Sequence, residues 1–396
     1  MLRSTLMTVA LTLGAILAGS LPAFGAQPGG GEYVLRFDHH VDHLSTVPAN
    51  AGQAVKLFVR ERVAAGLIQS GRNAALSGKV VLFVHGGTVP SVPDYDLDYK
   101  DYNWMAFLAQ AGFDVFSMDQ TGYGLSPRPM MDDPCNMNPL DQPLLIPNPL
   151  SAPCAASYPF TLTNSQSDWD EIDTVVDYIR TLRGVERVSI AGWSGGGPRG
   201  GGYAARHPEK VDRLILYAPG YSPTGPSSPP ATVPAPGFPM SIQTHDELMF
   251  DRWEANVQCP GQIDPGIRDV IWNTIMAFDP IGATWGTPPG VMRTRTAQSW
   301  GWNPEFAAKV TAPTLVVVGQ QDSSSLIANT RTLMNDLVNV VDKVRIEVAC
   351  ATHFLVWESQ HRALLESSMD WLLHGSVKGV RRGELLVDPD GKYHRQ

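Results

Sequence analysis

Residues 188–196, Val188-Ser189-Ile190-Ala191-Gly192-Trp193-Ser194-Gly195-Gly196, run from a short apolar strand through a serine set among glycines into the start of a helix. Small residues at both ends of Gly192-Trp193-Ser194-Gly195-Gly196 permit a tight, strained strand-to-helix turn that a larger side chain would obstruct. Such a turn lifts the serine hydroxyl above a sheet edge. It also points the first helical N–H groups, that of Gly195 included, toward any oxyanion formed beside the serine. A five-residue match alone is weak. Here it lies between a strand and a helix, and Gly197, Gly200, Gly201 and Gly202 leave room for that helix, residues 195–207, to pack closely on the sheet. A glycine-rich turn with an incidental serine is the weaker reading.

Outward from this turn, short apolar strands alternate with helical stretches, the signature of a mostly parallel sheet flanked by helices. Residues 80–84, 113–118, 188–191, 214–217, 314–318 and 344–348 read as buried strands, while 33–37 and 55–59 alternate like half-exposed antiparallel ones, eight strands in all. Helices are expected over 102–111, 167–182, 195–207, 324–337 and 360–373. The second is the clearest: Ser167 caps it, acidic residues fill its first turns, and Ile172, Val175, Val176 and Ile179 recur on one face. Residues 127–163, rich in Pro and Asn, read as a long loop. Residues 221–311 read as an insertion with helical segments, and Asp388-Pro389-Asp390-Gly391 as the turn of a small hairpin. At 396 residues the chain fits one large α/β core, residues 27–220 and 312–396, carrying a cap of residues 221–311.

Two further motifs fit this frame. His85-Gly86-Gly87-Thr88 ends the first central strand, and Asp119-Gln120-Thr121-Gly122-Tyr123-Gly124-Leu125-Ser126 follows the next. With the serine turn, they make the sequence resemble the α/β-hydrolase superfamily over roughly residues 32–375, although Thr121 stands where that family often has an arginine. The resemblance implies an α/β-hydrolase fold with a mostly parallel sheet and an inserted cap. It implies that Gly87, less so Thr88, donates a second oxyanion-hole N–H beside that of Gly195, with His85 shaping the loop. It further implies an acid and then a histidine, each beyond the carboxyl end of a strand. Asp322 follows Val316-Val317-Val318-Gly319, and His353 follows Ile346-Glu347-Val348-Ala349. Asp342 and Glu347 are the competing acids, but one precedes its strand and the other lies within it.

Ser194, His353 and Asp322 then form a nucleophile, base and orienting acid, because serine is a poor nucleophile at neutral pH until an imidazole accepts its proton. The expectation is a serine hydrolase that cleaves a small to medium apolar carboxylic ester through an acyl-serine intermediate, with no cofactor. Lactone, amide or aminopeptide, and C–C bond hydrolysis remain open on the same triad, and a binding protein on a hydrolase scaffold is the alternative of another class. An Asp in place of Ser194 would have implied dehalogenase or epoxide-hydrolase chemistry. By the same resemblance the cap is a lid, and a minority of its Met249, Phe250, Trp253, Trp272, Met276, Phe278, Trp285, Met292, Trp300 and Trp302 line an apolar substrate pocket, the rest being its core.

Residues 1–26 read as a signal peptide: Arg3, an apolar run over 6–21, then Ala23-Phe24-Gly25-Ala26 for cleavage. A membrane anchor is the weaker reading, since the run is short for a bilayer span. Export, periplasmic or secreted, gives the four cysteines meaning. Cys135 and Cys154 bracket the Pro-rich loop and are the expected bridge. Cys259 and Cys350 are either a second bridge or buried free thiols. A net charge of -9 with no basic stripe argues against a nucleic-acid partner. Asp38, His39, His40 and His43 carry a metal-like spacing, but a solvated polar face on an edge strand is the better reading.

Overall fold

A computed structural model describes residues 33–69, 78–323 and 327–396. The expected signal peptide and positions 324–326 of one expected helix lie outside the described residues. The chain runs through β1 (Val34–Leu44), β2 (Ala54–Ala64), β3 (Val80–Val84), β4 (Asp114–Met118), β5 (Thr163–Asn164), β6 (Val188–Trp193) and β7 (Val211–Tyr217). It continues through β8 (Met240–Thr244), β9 (Val291–Arg295), β10 (Ala297–Gln298), β11 (Thr314–Gly319), β12 (Lys343–Val348), β13 (Arg382–Val387) and β14 (Tyr393–Arg395).

Ten of these strands form one sheet in the order β1-β2-β4-β3-β6-β7-β11-β12-β13-β14. From β4 to β13 every neighbouring pair is parallel. The pairs β1/β2, β2/β4 and β13/β14 are antiparallel. The sheet thus has two more strands than the eight expected: the hairpin at Asp388-Pro389-Asp390-Gly391 does not stand apart but adds both its strands to the β12 edge. Only Leu385-Leu386-Val387 is a continuous apolar run there, too short a signal to read as a strand.

Strands β3, β4, β6, β11 and β12 are buried along their whole length, as expected of strands covered on both faces. Alternate residues feed two cores. Val81 and Phe83 join Val317 and Ile346 under helices Trp104–Gln110 and His361–His374, while Val80, Leu82 and Val84 join Val316 under helices Ser165–Arg183, Gly196–Arg206 and Ile327–Asp336. Helix Ser165–Arg183 starts two residues before its expected place because Asn164, not Ser167, is its N-cap. The Asn164 side chain accepts from Ser167 N, and the Ser167 hydroxyl accepts from Asn164 N.

The 221–311 insertion carries strands as well as the helical segments expected of it. It holds the antiparallel pair β8/β9, a π-helical segment Glu247–Trp253 and one α-helix longer than four residues, Ile267–Ala277. It also shares a core with the 127–163 segment: Met131, Met137, Leu145 and Leu162 pack with Met240, Ile242, Trp285 and Val291, and β10 pairs with β5. Cys135 is bonded to Cys154 within that segment, and Cys259 is bonded to Cys350. Of the residues expected to form a solvated polar face on β1, Asp38 and His40 are exposed, but His39 and His43 are not. His43 is buried with Nδ1 on the Thr174 hydroxyl, and His39 bridges Glu61 and Tyr178. No helix among the described residues is long and apolar enough to cross a membrane.

Candidate active site

Ser194 leaves β6 with φ at +52°, the left-handed region that a serine adopts only when its surroundings enforce it. Its N–H donates to Tyr217 O at 2.9 Å, and its carbonyl accepts from Gly197 N at 2.9 Å and Gly220 N at 3.0 Å. The flanking glycines are a steric necessity. A Cβ on Gly192 would sit 2.4 Å from Gly196 O, and one on Gly196 would sit 2.2 Å from Val84 O.

The acid and histidine loops open from β11 and β12. His353 Nδ1 lies 3.1 and 3.0 Å from the two Asp322 oxygens, and both residues are only 6% exposed. The backbone of His353 is itself anchored, since its carbonyl accepts from Trp193 Nε1 at 3.1 Å and from the Tyr217 hydroxyl at 2.6 Å. Those donors stand on β6 and β7, so the serine turn and the histidine loop share one support. Glu358 holds the other side of that loop. It accepts from Thr352 N and from Trp253 Nε1 of the insertion, and burial raises its carboxyl above the ordinary range.

Ser194 and His353 line one cleft with Gly86, Gly87, Thr88 and Arg252. Val89, Trp193 and Phe354 supply apolar wall, and the cleft encloses about 240 Å³ of empty space, its open mouth included. Gly195 abuts the same loop, for a Cβ there would meet Gly87 N at 2.9 Å. Neither the Gly87 nor the Gly195 N–H finds a hydrogen-bond partner among the described residues. Two unspent donors thus flank the serine.

The loop carrying Gly87 is held from beneath by buried polar groups. His85 Nε2 accepts from Gln120 N, which leaves Nδ1 to donate to Gly86 O at 2.7 Å; burial and Arg199 hold this imidazole well below its ordinary pKa, hence neutral. Asp94 accepts from Gly86 N, and burial pushes its carboxyl well above the ordinary range. The Asp119 carboxylate accepts from Ser91 N and Leu125 N and leaves no space for a side chain on Gly124, which is scaffolding rather than chemistry.

The competing acids lie elsewhere. Asp342 faces Arg381, and Glu347 is tied to Arg345 and Arg331. Among the described residues no group of three His, Cys, Asp or Glu side chains is placed to hold a metal ion. Sequence reasoning missed Arg252, Asp94 and Tyr217. Asp94 and Tyr217 sit in runs that read as loop or strand, and Arg252 reaches the cleft only through the folding of the insertion.

The family model described as alpha/beta hydrolase fold matches residues 79–244, a stretch that holds Gly87 and Ser194 and ends before Asp322 and His353. The chain has the α/β-hydrolase fold. Among solved structures, a serine hydrolase involved in carbazole degradation is 17% identical, with 84% of this chain and 99% of that chain covered and a TM-score of 0.48. A thermophilic esterase from Thermogutta terrifontis is 15% identical over 84% of this chain and 98% of its own, at a TM-score of 0.49. A monoacylglycerol lipase from Paleococcus ferrophilus is 17% identical over 75% and 94%, at 0.45. No curated protein matches the sequence. Likenesses this distant say nothing of the reaction. In this α/β-hydrolase frame Ser194, His353 and Asp322 lie at the ends of β6, β12 and β11, on one edge of the parallel sheet.

Proposed function

We propose that this α/β hydrolase is an exported serine hydrolase that cleaves a small to medium carboxylic ester, its apolar part against Val89, Trp193 and Phe354. The observation that carries the reading is the Asp322 carboxylate on His353 Nδ1, with His353 and Ser194 lining one cleft beside Gly87. Because Nδ1 faces a carboxylate, Nε2 is left to accept the serine proton. The serine oxygen then bonds to the ester carbonyl carbon, and the carbonyl oxygen becomes an anion received by the Gly87 and Gly195 N–H groups. As the C–O bond to the alcohol breaks, the imidazolium returns its proton to the departing oxygen, leaving an acyl-serine. Water enters, loses a proton to His353 and releases the acid, and the serine recovers its proton. The two disulfides are compatible with an oxidising compartment.

The test is covalent labelling. A fluorophosphonate should label the native protein, and Ser194→Ala should abolish labelling and lower ester turnover by on the order of 10⁶-fold with its melting temperature preserved. Labelling that survives in the variant would move the nucleophile elsewhere. A p-nitrophenyl ester series of graded chain length, run beside lactone and aminoacyl substrates, separates the ester reading from its alternatives.

A further inference from the structure

Arg252 stands on the π-helical segment Glu247–Trp253 of the insertion and reaches the cleft of Ser194 and His353. Its bonding is unlike that of the other interior arginines. Arg60, Arg183, Arg293, Arg295 and Arg345 each meet at least one carboxylate, and Arg206 lies over the Trp169 and Phe306 rings. Arg252 meets neither a carboxylate nor a ring among the described residues. Only Nη1 is spent, on the neutral oxygens of Gln243 at 2.9 Å and Thr88 at 3.3 Å. Nε and Nη2, the edge of the fork that meets a carboxylate side-on, carry no protein acceptor and are not sealed from solvent.

A half-buried guanidinium without a counter-charge is costly, and burial lowers the pKa of this one for that reason. Nothing else lining the cleft offsets it. Asp94, the single carboxyl in the lining, is buried and held toward its neutral form, and Asp322 is engaged by His353. The bonds to Gln243 and Thr88 fix the direction of the fork, and Thr88 adjoins the Gly87 donor. The cleft that Ser194 lines therefore presents one fixed cation and supplies no free carboxylate to meet it.

We infer that Arg252 receives a carboxylate belonging to the substrate, so that the preferred substrates are esters with a negative charge a few atoms from the scissile carbonyl. This rests on the serine-hydrolase reading and narrows it. Arg252 is a positioning residue here: it takes no part in bond making and selects which ester places its carbonyl over Ser194.

The experiment compares isosteric pairs that differ only in charge. Monomethyl succinate against methyl succinamate puts the carboxylate on the acyl side, and 4-acetoxybenzoate against 4-acetoxybenzamide puts it on the leaving-group side. In one pair the native enzyme should favour the anion by about 30-fold in kcat/KM, the size of a charge-assisted hydrogen-bonded pair, with the gain mostly in KM. Arg252→Gln should bring that ratio near one, Arg252→Lys should retain part of it, and Arg252→Glu should invert it. A native ratio of one or less in both pairs overturns the inference, and this is readable even if every variant fails to fold. So does a ratio that survives Arg252→Gln. If neutral esters turn over and the fluorophosphonate labels Ser194 without any anionic preference, this inference alone falls. Absence of both labelling and turnover overturns the hydrolase reading with it.

Discussion

Tyr217 shows how single residues hold this site. Its buried hydroxyl donates to His353 O and accepts from Val356 N, so one phenol on β7 fixes two points of the histidine loop. The histidine backbone is thereby held, and the orientation of its ring falls to Asp322. Both Asp322 oxygens lie within reach of the Nδ1 N–H and accept its hydrogen bond, whereas an asparagine at that position presents an amide that can donate instead, reversing the tautomer without changing the packing. Asp322→Asn should therefore lower kcat on the order of a thousandfold or more while leaving the melting temperature close to native. Asp342→Asn touches only a largely exposed pair with Arg381 and should stay within about twofold. Equal rates for Asp322→Asn and the native enzyme from pH 6 to 9 would refute the assignment, and a large loss in Asp342→Asn would redirect it.

Among the elements, helix Ser165–Arg183 carries an acid that the sequence presents as ordinary. Glu171 is buried, accepts from Thr121 N through Oε2 and leaves Oε1 unpartnered; desolvation raises its pKa from 4.5 to about 7. A carboxyl whose pKa is raised on folding begins to cost stability where the unfolded chain ionises and the folded chain does not, and the cost remains once both are ionised. Its penalty is absent below pH 4.5, grows as pH rises to about 7, and is constant above that, reaching on the order of 3 kcal/mol. Glu171→Gln lacks this term. Its urea midpoint relative to native should therefore rise between pH 5 and pH 7.5, and a flat or falling difference would show that Glu171 ionises normally.

The same contrast between local and distant information explains what could be read from the sequence. The central strands are legible because burial on both faces makes them continuous apolar runs, and Ser194, Asp322 and His353 are legible because each follows such a run. The insertion is not. Its Trp253 packs on the far-off Phe354 and Trp357, contacts that no local pattern announces. Arg252 is further out of reach, because its partner Thr88 lies 164 positions away. The N-cap of helix Ser165–Arg183 is hidden for a smaller reason: Asn164 and Ser167 both suit the position, and the reciprocal bond between them decides which is the cap.

At the scale of the molecule, the two disulfides do different work. Cys135–Cys154 closes 19 residues inside the Pro-rich segment, whereas Cys259–Cys350 spans 91 residues and ties the insertion to the loop three residues before His353. Chain-entropy reasoning assigns the short bridge about 3 kcal/mol and the long one between about 4 and 5 kcal/mol, because the longer loop has more freedom to lose in the unfolded chain. The long bridge also joins two parts of the site. Gln262 and Trp253, flanking Cys259, donate to Glu358, and Glu358 in turn receives Thr352 N beside His353. Cys259→Ser with Cys350→Ser should therefore lower both the melting temperature and kcat, since the insertion and the histidine loop lose their covalent tie. Cys135→Ser with Cys154→Ser should lower the melting temperature less and leave kcat within a few fold. Thermal unfolding and ester kinetics on the two double variants decide it: a larger loss of turnover from the 135/154 pair would mean that the Pro-rich segment, not the tie to the histidine loop, governs the geometry around Ser194.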